Sequence, residues 1–205
     1  MRLYLDIETY RPKKDDVFID EKIIAIGIIE DWTSYIECSS VNDERKTNTF
    51  YFKEWEYGDE KNIICEFYKY LNKLKDSQYK KNRFLEVIGF NILRFDIPLL
   101  IQKGFKYGVD GIENLNKLWH GTFVKDYFQI CLPLNNMMFK NLKLTLLTDK
   151  LKNIGVDIPE PYGLSENIAE LYKNNRYDEI IKHLETDLSI IRIVDLNSKK
   201  LLKSF

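Results

Sequence analysis

Short runs rich in apolar and β-branched residues dominate the start of the chain: Arg2 to Ile7, Ile23 to Glu30, Ser34 to Cys38 and Thr49 to Trp55. Charged or turn-forming segments, Arg11 to Asp16 and Asn42 to Asn48, separate them, and three antiparallel strands in meander order are the simplest arrangement. From Asp59 the spacing becomes helical, with Ile63, Ile64, Phe67, Leu71 and Leu74 at intervals of three and four. Phe84 to Phe90 reads as a further strand. A helix is expected from about Ile97, with Pro98 tolerated in its first turn and Gly104 closing it, which puts Asp96 at its N-terminus. The pattern weakens after Gly111 until a candidate strand, Phe123 to Ile130. Leu144, Leu147 and Leu151 mark a helix over Leu142 to Asn153, ended by Gly155; Ser165 is placed to cap a helix through Leu171. The last helix starts near Tyr177 and runs toward the end, with Ile180, Leu184, Leu188, Ile191 and Val194 on one face. This order predicts an α/β fold, a mixed sheet with helices packed on it. With no repeat or Pro/Gly-rich linker, residues 1–205 read as one domain.

A chain of 205 residues buries about 70% of the surface its unfolded form exposes, so neither disulfides nor a structural metal are needed for a core. Cys38, Cys65 and Cys131 are widely spaced and odd in number, which matches neither a paired framework nor a zinc knuckle and points to a reducing compartment. The longest strongly apolar stretch, Ile23 to Ile29, falls far short of the roughly 18 residues a bilayer requires, so the expectation is a cytoplasmic protein with no membrane association. A net charge of −1 excludes coating of nucleic acid by bulk electrostatics. Local basic character remains at Lys140, Lys143, Lys150 and Lys152 and at Lys199, Lys200 and Lys203, though lysine faces are commonly just solvated surface.

The candidate chemistry lies in a few acids and one histidine. Asp6 and Glu8, two residues apart on a strand, project from the same side, while Ile7 points the other way into the core. Two acids on one face of a central strand are costly to bury without a counter-charge, which favours metal binding; on an edge strand they would be ordinary solvated acids. Asp96 sits where a helix dipole supports an acid even with no further role. His183 and Asp187, four apart on a helix, share a face beside the Leu184, Leu188 and Ile191 stripe and can point into one site. A helix-surface histidine without a role is the alternative for His183. Asp126, at the end of the last expected strand, is either an outer-shell acid or a structural strand-end residue.

Gly89-Phe-Asn-Ile-Leu-Arg-Phe-Asp-Ile-Pro resembles the second exonuclease motif of the proofreading domain of family B DNA polymerases, with Gly89, Phe90, Asn91, Phe95, Asp96 and Pro98 in matching order. By the same resemblance Asp6-Ile-Glu-Thr9 fills the first motif, and the ordered set resembles a DEDD-type 3′ to 5′ exonuclease. In that superfamily the third motif ends in an Asp preceded by Tyr four positions earlier or by His five positions earlier. This chain has His183 four before Asp187 and departs from both patterns, looking most like the tyrosine branch with His substituted.

The resemblance implies a ribonuclease H-like, five-stranded mixed sheet with the first strand central. It also implies two Mg²⁺ or Mn²⁺ ions held by Asp6, Glu8, Asp96 and Asp187, with His183 activating water. Phe90, Asn91 and Phe95 would shape the pocket for a terminal nucleotide, and Thr9, which completes the first motif, would contact nucleic acid there too. The expected activity is 3′ to 5′ hydrolysis of single-stranded or frayed DNA ends to nucleoside monophosphates. RNA is the near alternative, and a non-catalytic nucleic-acid-binding module on the same fold is the rival. The end, Lys199-Lys-Leu-Leu-Lys-Ser-Phe205, faintly resembles sliding-clamp binding peptides, but lacks their leading Gln and second aromatic. Docking of Leu201, Leu202 and Phe205 back on the domain is the competing expectation.

Overall fold

A computed structural model of the protein describes residues 1–11, 20–33, 47–163 and 167–205. Strand β1 is Arg2–Tyr10, β2 Lys22–Asp31 and β3 Thr47–Lys53; a short turn of helix α1 (Glu54–Tyr57) leads into α2 (Glu60–Lys80). Next come β4 (Glu86–Gly89), α3 (Asp96–Lys106), α4 (Ile112–His120), β5 (Phe123–Asp126) and α5 (Tyr127–Cys131). The remaining helices are α6 (Leu144–Asn153), α7 (Ile168–Lys173), α8 (Tyr177–Leu196) and α9 (Ser198–Lys203). The strands form one mixed sheet in the order β3-β2-β1-β4-β5. The β1–β2 and β2–β3 pairs are antiparallel, the β1–β4 and β4–β5 pairs parallel. The expected three-strand meander and the central first strand are therefore present.

Alternation along β1 sorts the two layers. Leu3, Leu5 and Ile7 enter a core with Ile63, Ile64 and Phe67 of α2 and Leu99 and Leu100 of α3. Tyr4 faces the other way, into a core with Leu147 and Leu151 of α6 and Leu184, Leu188 and Ile191 of α8. Asp6 and Glu8 share the Tyr4 face, and so point toward α8. The α8 stripe read from sequence is buried throughout, at about 1.5–3 kcal/mol for each large apolar side chain.

Two features bring α8 close. Gly27 pairs with Asp6 across the β1–β2 ladder, and a Cβ there would lie 2.7 Å from Leu188 Cδ1 and 2.8 Å from Leu184 Cγ. Gly27→Ala is expected to push α8 outward and cost roughly 1–3 kcal/mol, read as a lower midpoint in urea with an unchanged slope. At its far end α8 is tied down by buried charge. Asp195 accepts from Tyr4 at 3.0 Å, Tyr127 at 2.6 Å and Lys125 at 3.0 Å, and Arg192 donates to Asp31 at 2.9 Å. Because Tyr4 and Tyr127 share this one acceptor in the core, Asp195→Ala should destabilise by about 3–5 kcal/mol, and Asp195→Asn by less, on thermal melts.

Several boundaries differ from the sequence reading. The run Phe123 to Ile130 is not one strand: it stops at Asp126, whose carboxylate accepts the Phe128 N–H at 2.9 Å and starts α5. A short apolar run cannot distinguish strand from buried helix by periodicity, and β4, only Glu86–Gly89, offers β5 nothing longer to pair with. Helix α4 went unread because its buried face has only Leu115 and Trp119. Trp55 lies beyond β3, in α1, stacked on Tyr177 at 4.4 Å. The expected strand Ser34 to Cys38 and the Ser165 cap lie outside the described residues.

The last helix breaks at Asn197, and α9 folds back. Leu201 is fully buried, whereas Leu202 and Phe205 stay partly exposed, with Lys150 Nζ 4.1 Å above the Phe205 ring. Of the three side chains expected to dock, Leu201 does so completely. Deleting residues 199–205 should therefore lower the melting temperature by several degrees, since Leu201 alone is worth about 1.5–3 kcal/mol. An unchanged melting temperature would argue instead for a tail reserved for a partner such as a sliding clamp.

Candidate active site

Asp6 and Glu8 come from β1, just before a register shift between Glu8 and Thr9. Ala25 and Gly27 stand opposite them on β2, so the neighbouring strand adds almost no side-chain bulk on that face. Asp96 opens α3, where the helix dipole supports a carboxylate. It follows a turn in which Asn91 takes a left-handed φ of 65°, a conformation Asn tolerates better than most residues. That turn is held by Asp126, whose carboxylate accepts the N–H of Asn91 at 2.7 Å and of Leu93 at 3.0 Å. Asp126 thus acts as a structural strand-end acid that shapes the loop before Asp96. Gly89 serves by smallness rather than flexibility, since a Cβ there would lie 2.8 Å from the Leu5 carbonyl oxygen.

His183 and Asp187 face β1 from α8. His183 Nδ1 lies 2.8 Å from Glu8 Oε1 and 3.7 Å from Asp187 Oδ2, with His183 and Glu8 both buried. The alternative of a surface histidine is excluded by this position. An open cleft of about 450 Å³ runs over the group, lined among others by Asp6, Phe90, Asn91, His183 and Asp187. A larger cleft of about 720 Å³, at the opposite end of the strands by Met1, Trp32 and Phe84, lacks the acid cluster.

The acids perturb one another's ionisation. Burial, then the charges of Asp96, Asp187 and Glu8, push the Asp6 carboxyl well above the usual carboxylate range. Asp96 is raised to about 8, chiefly by burial and then by the charge of Asp126; the Ile7 N–H, which opposes the shift, acts on both Asp6 and Asp96. Asp187 is raised to about 6 by burial, against the attraction of His183. Burial raises Glu8 as well, opposed by its bond to His183. Burial alone would lower the His183 imidazole, but the Glu8 hydrogen bond and the charges of Glu8 and Asp187 outweigh it and raise its pKa.

Buried Oδ1 atoms of Asp96 and Asp187 have no hydrogen-bond partner among the described residues, and the same is true of Asn91 Oδ1. Such atoms cost free energy unless something else satisfies them. Hard carboxylate oxygens suit Mg²⁺ or Mn²⁺ in kind. The arrangement is not a preformed ion cage, however. Among the described residues no three His, Cys, Asp or Glu side chains are grouped to hold a metal ion, and Glu8 is turned to His183.

Two of the expected pocket residues sit elsewhere. The Thr9 hydroxyl donates to Glu21 at 2.6 Å, and Phe95 packs against the core on the α2 and α3 side. Phe90 and Asn91 do line the cleft. Lys143, one of the local basic residues, lines it too, as do Phe128 and Gly163, which the sequence does not single out: Phe128 falls within the expected strand, and Gly163 approaches His183 only through the tertiary fold.

No protein-family model and no curated protein matches the chain. Among solved structures, the family B DNA polymerase from the hyperthermophilic archaeon Pyrobaculum calidifontis superposes with a TM-score of 0.59 at 15% identity, over 98% of this chain and 24% of the polymerase chain. The fold is ribonuclease H-like. At this identity the likeness is one of fold, and the chain spans about a quarter of the polymerase's length. Among the described residues no helix is long and apolar enough to cross a membrane.

Proposed function

We propose that this protein is a metal-dependent 3′ to 5′ exonuclease that hydrolyses phosphodiester bonds at single-stranded or frayed DNA ends. The observation that carries this reading is one open cleft lined by both Asp6 and Asp187, with Asp96 buried at the start of α3 and unpartnered buried oxygens on Asp96 and Asp187. Asp6, Glu8, Asp96 and Asp187 would hold two divalent ions, Mg²⁺ or Mn²⁺, which when bound activate a water and stabilise the leaving oxygen. Glu8 would exchange its bond to His183 for this task. His183, held on α8 at the cleft wall, would then accept the proton of the attacking water. Phe90 and Asn91 would seat the terminal base and sugar.

Incubating end-labelled single-stranded DNA and RNA with Mg²⁺, Mn²⁺ or a chelator tests the reading. Stepwise shortening from the 3′ end that requires a divalent ion is expected, with DNA preferred. Cleavage of RNA alone would reassign the substrate through contacts to the 2′-OH. A second reading is favoured by the Glu8–His183 pair and the lack of a preformed ion cage: a nucleic-acid-binding module that does not cleave. Tight oligonucleotide binding with no cleavage in either metal would select it.

A further inference from the structure

An aromatic ladder leads out of the cleft. Phe90 and Phe128, both lining it, meet edge to face at 5.7 Å, and Phe128 stacks on Phe139 at 5.8 Å with planes 10° apart. The Arg94 guanidinium lies 4.4 Å over the Phe139 ring and 5.4 Å from that of Phe128. The outer end is open: Phe139 is 55% exposed, beside Met137 at 61% and Met138 at 55%. Three large apolar side chains in a row, each more than half exposed, call for an occupant.

Charge indicates which occupant. Although 32 of the 205 residues are acidic, none occurs from Tyr127 to Thr148 or from Gly89 to Phe95, while Arg94, Lys140 and Lys143 lie in those same segments. Lys143 stands at the cleft itself. Aromatic faces interleaved with cations, in segments without acids, match a strand of stacked bases with a phosphate backbone. An acidic protein partner would use the cations but not the flat stacked geometry.

We propose that the exposed Phe139 and Arg94, backed by the buried Phe128, form a stacking track for single-stranded DNA, gripping the nucleotides that precede the 3′ end seated in the cleft. This rests on the nucleic-acid reading of the cleft, though not on cleavage. The track would make the protein prefer single strands, because bases paired inside a duplex cannot present their faces to Phe139. Its grip would be tolerant of sequence, since every base has a stacking face.

The test uses the whole chain in chelator, so that nothing is cleaved, and a fluorescent oligothymidylate of about a dozen nucleotides, matched to the span of such tracks. Phe139→Ala is expected to weaken its binding about tenfold or more, the loss of one base stack. Phe139→Trp should restore binding and Phe139→Leu should not, because Leu replaces bulk without a ring face. A labelled mononucleotide, which has no preceding base to stack on Phe139, should bind wild type and Phe139→Ala alike. Thermal melts should shift by only a few degrees for these variants, since the side chain is more than half exposed. Equal binding by Phe139→Ala and wild type, full rescue by Leu, or equal affinity for a blunt duplex each overturns the track. Should the binding pattern hold while Mg²⁺ and Mn²⁺ produce no cleavage, the track stands and the nuclease proposal fails. Cleavage with binding indifferent to Phe139 overturns the track and leaves the nuclease proposal standing.

Discussion

Asp96→Asn should abolish cleavage and at the same time make the metal-free protein more stable at neutral and alkaline pH. The carboxyl of Asp96 is raised from 3.8 to about 8, so the folded state binds its proton far more tightly than the unfolded chain does. For an acid raised on folding, stability is greatest below the unfolded pKa and falls as pH climbs toward the folded value. The window here runs from about pH 4 to about pH 8, and the loss across it is on the order of a few kcal/mol. Asn cannot ionise, so the variant's melting temperature in chelator should decline less over that window. Asp6→Ala should behave alike, because it removes a charge that acts on the same cluster. Thermal melts of wild type and variant at pH 5 and pH 8, each with chelator and with excess Mn²⁺, make the comparison. A variant that cleaves at substantial rate in excess Mg²⁺ removes Asp96 from the site. A variant whose melting temperature tracks wild type at both pH values disposes of the electrostatic argument.

His183→Ala should lose about 10²–10⁴-fold in rate if the imidazole takes the proton of the attacking water. The rate should then rise with pH until the imidazole is largely neutral and level off above that. In the metal-free state Glu8 and Asp187 hold the imidazolium, overcoming burial, so the His183 pKa in chelator should lie above the ordinary imidazole value. A cation taking over the Glu8 carboxylate removes that support, so the kinetic limb in Mg²⁺ should fall at lower pH than the NMR titration of His183 in chelator. His183→Tyr separates the roles. A phenol with a reference pKa near 10 orients water but does not accept its proton at neutral pH, so near-full activity with an unchanged pH profile would refute the base. Oligonucleotide affinity in chelator should move little in any of these variants, which separates the loss from misfolding.

The sequence by itself determined what repeats at short range. Period-two alternation in β1 put Asp6 and Glu8 on the side away from Ile7, and the spacing of Ile180, Leu184, Leu188, Ile191 and Val194 defined the buried face of α8 together with the side on which His183 and Asp187 stand. The order of strands and helices was enough for an α/β mixed sheet, and the resemblance of the motifs, not the periodicity, implied β1 at its centre. These are backbone periodicities, set residue by residue, and a single chain displays them. Short elements escaped for the same reason: α4 and the break at Asp126 offer too few turns to show a period. The tertiary structure alone decided what meets across long separations. Glu8 finds His183 rather than solvent, because Gly27 leaves room for α8 to close on the sheet. Asp126 supports the Asn91 turn from 35 residues away, and Thr9 turns to Glu21 past a bulge. Phe128 and Phe139 become one ladder with Arg94 only when the segment after β5 folds over the turn after β4. Pairings of this kind depend on the distances at which helices pack on the sheet, and those distances are set by the summed bulk of many side chains, which no local pattern records.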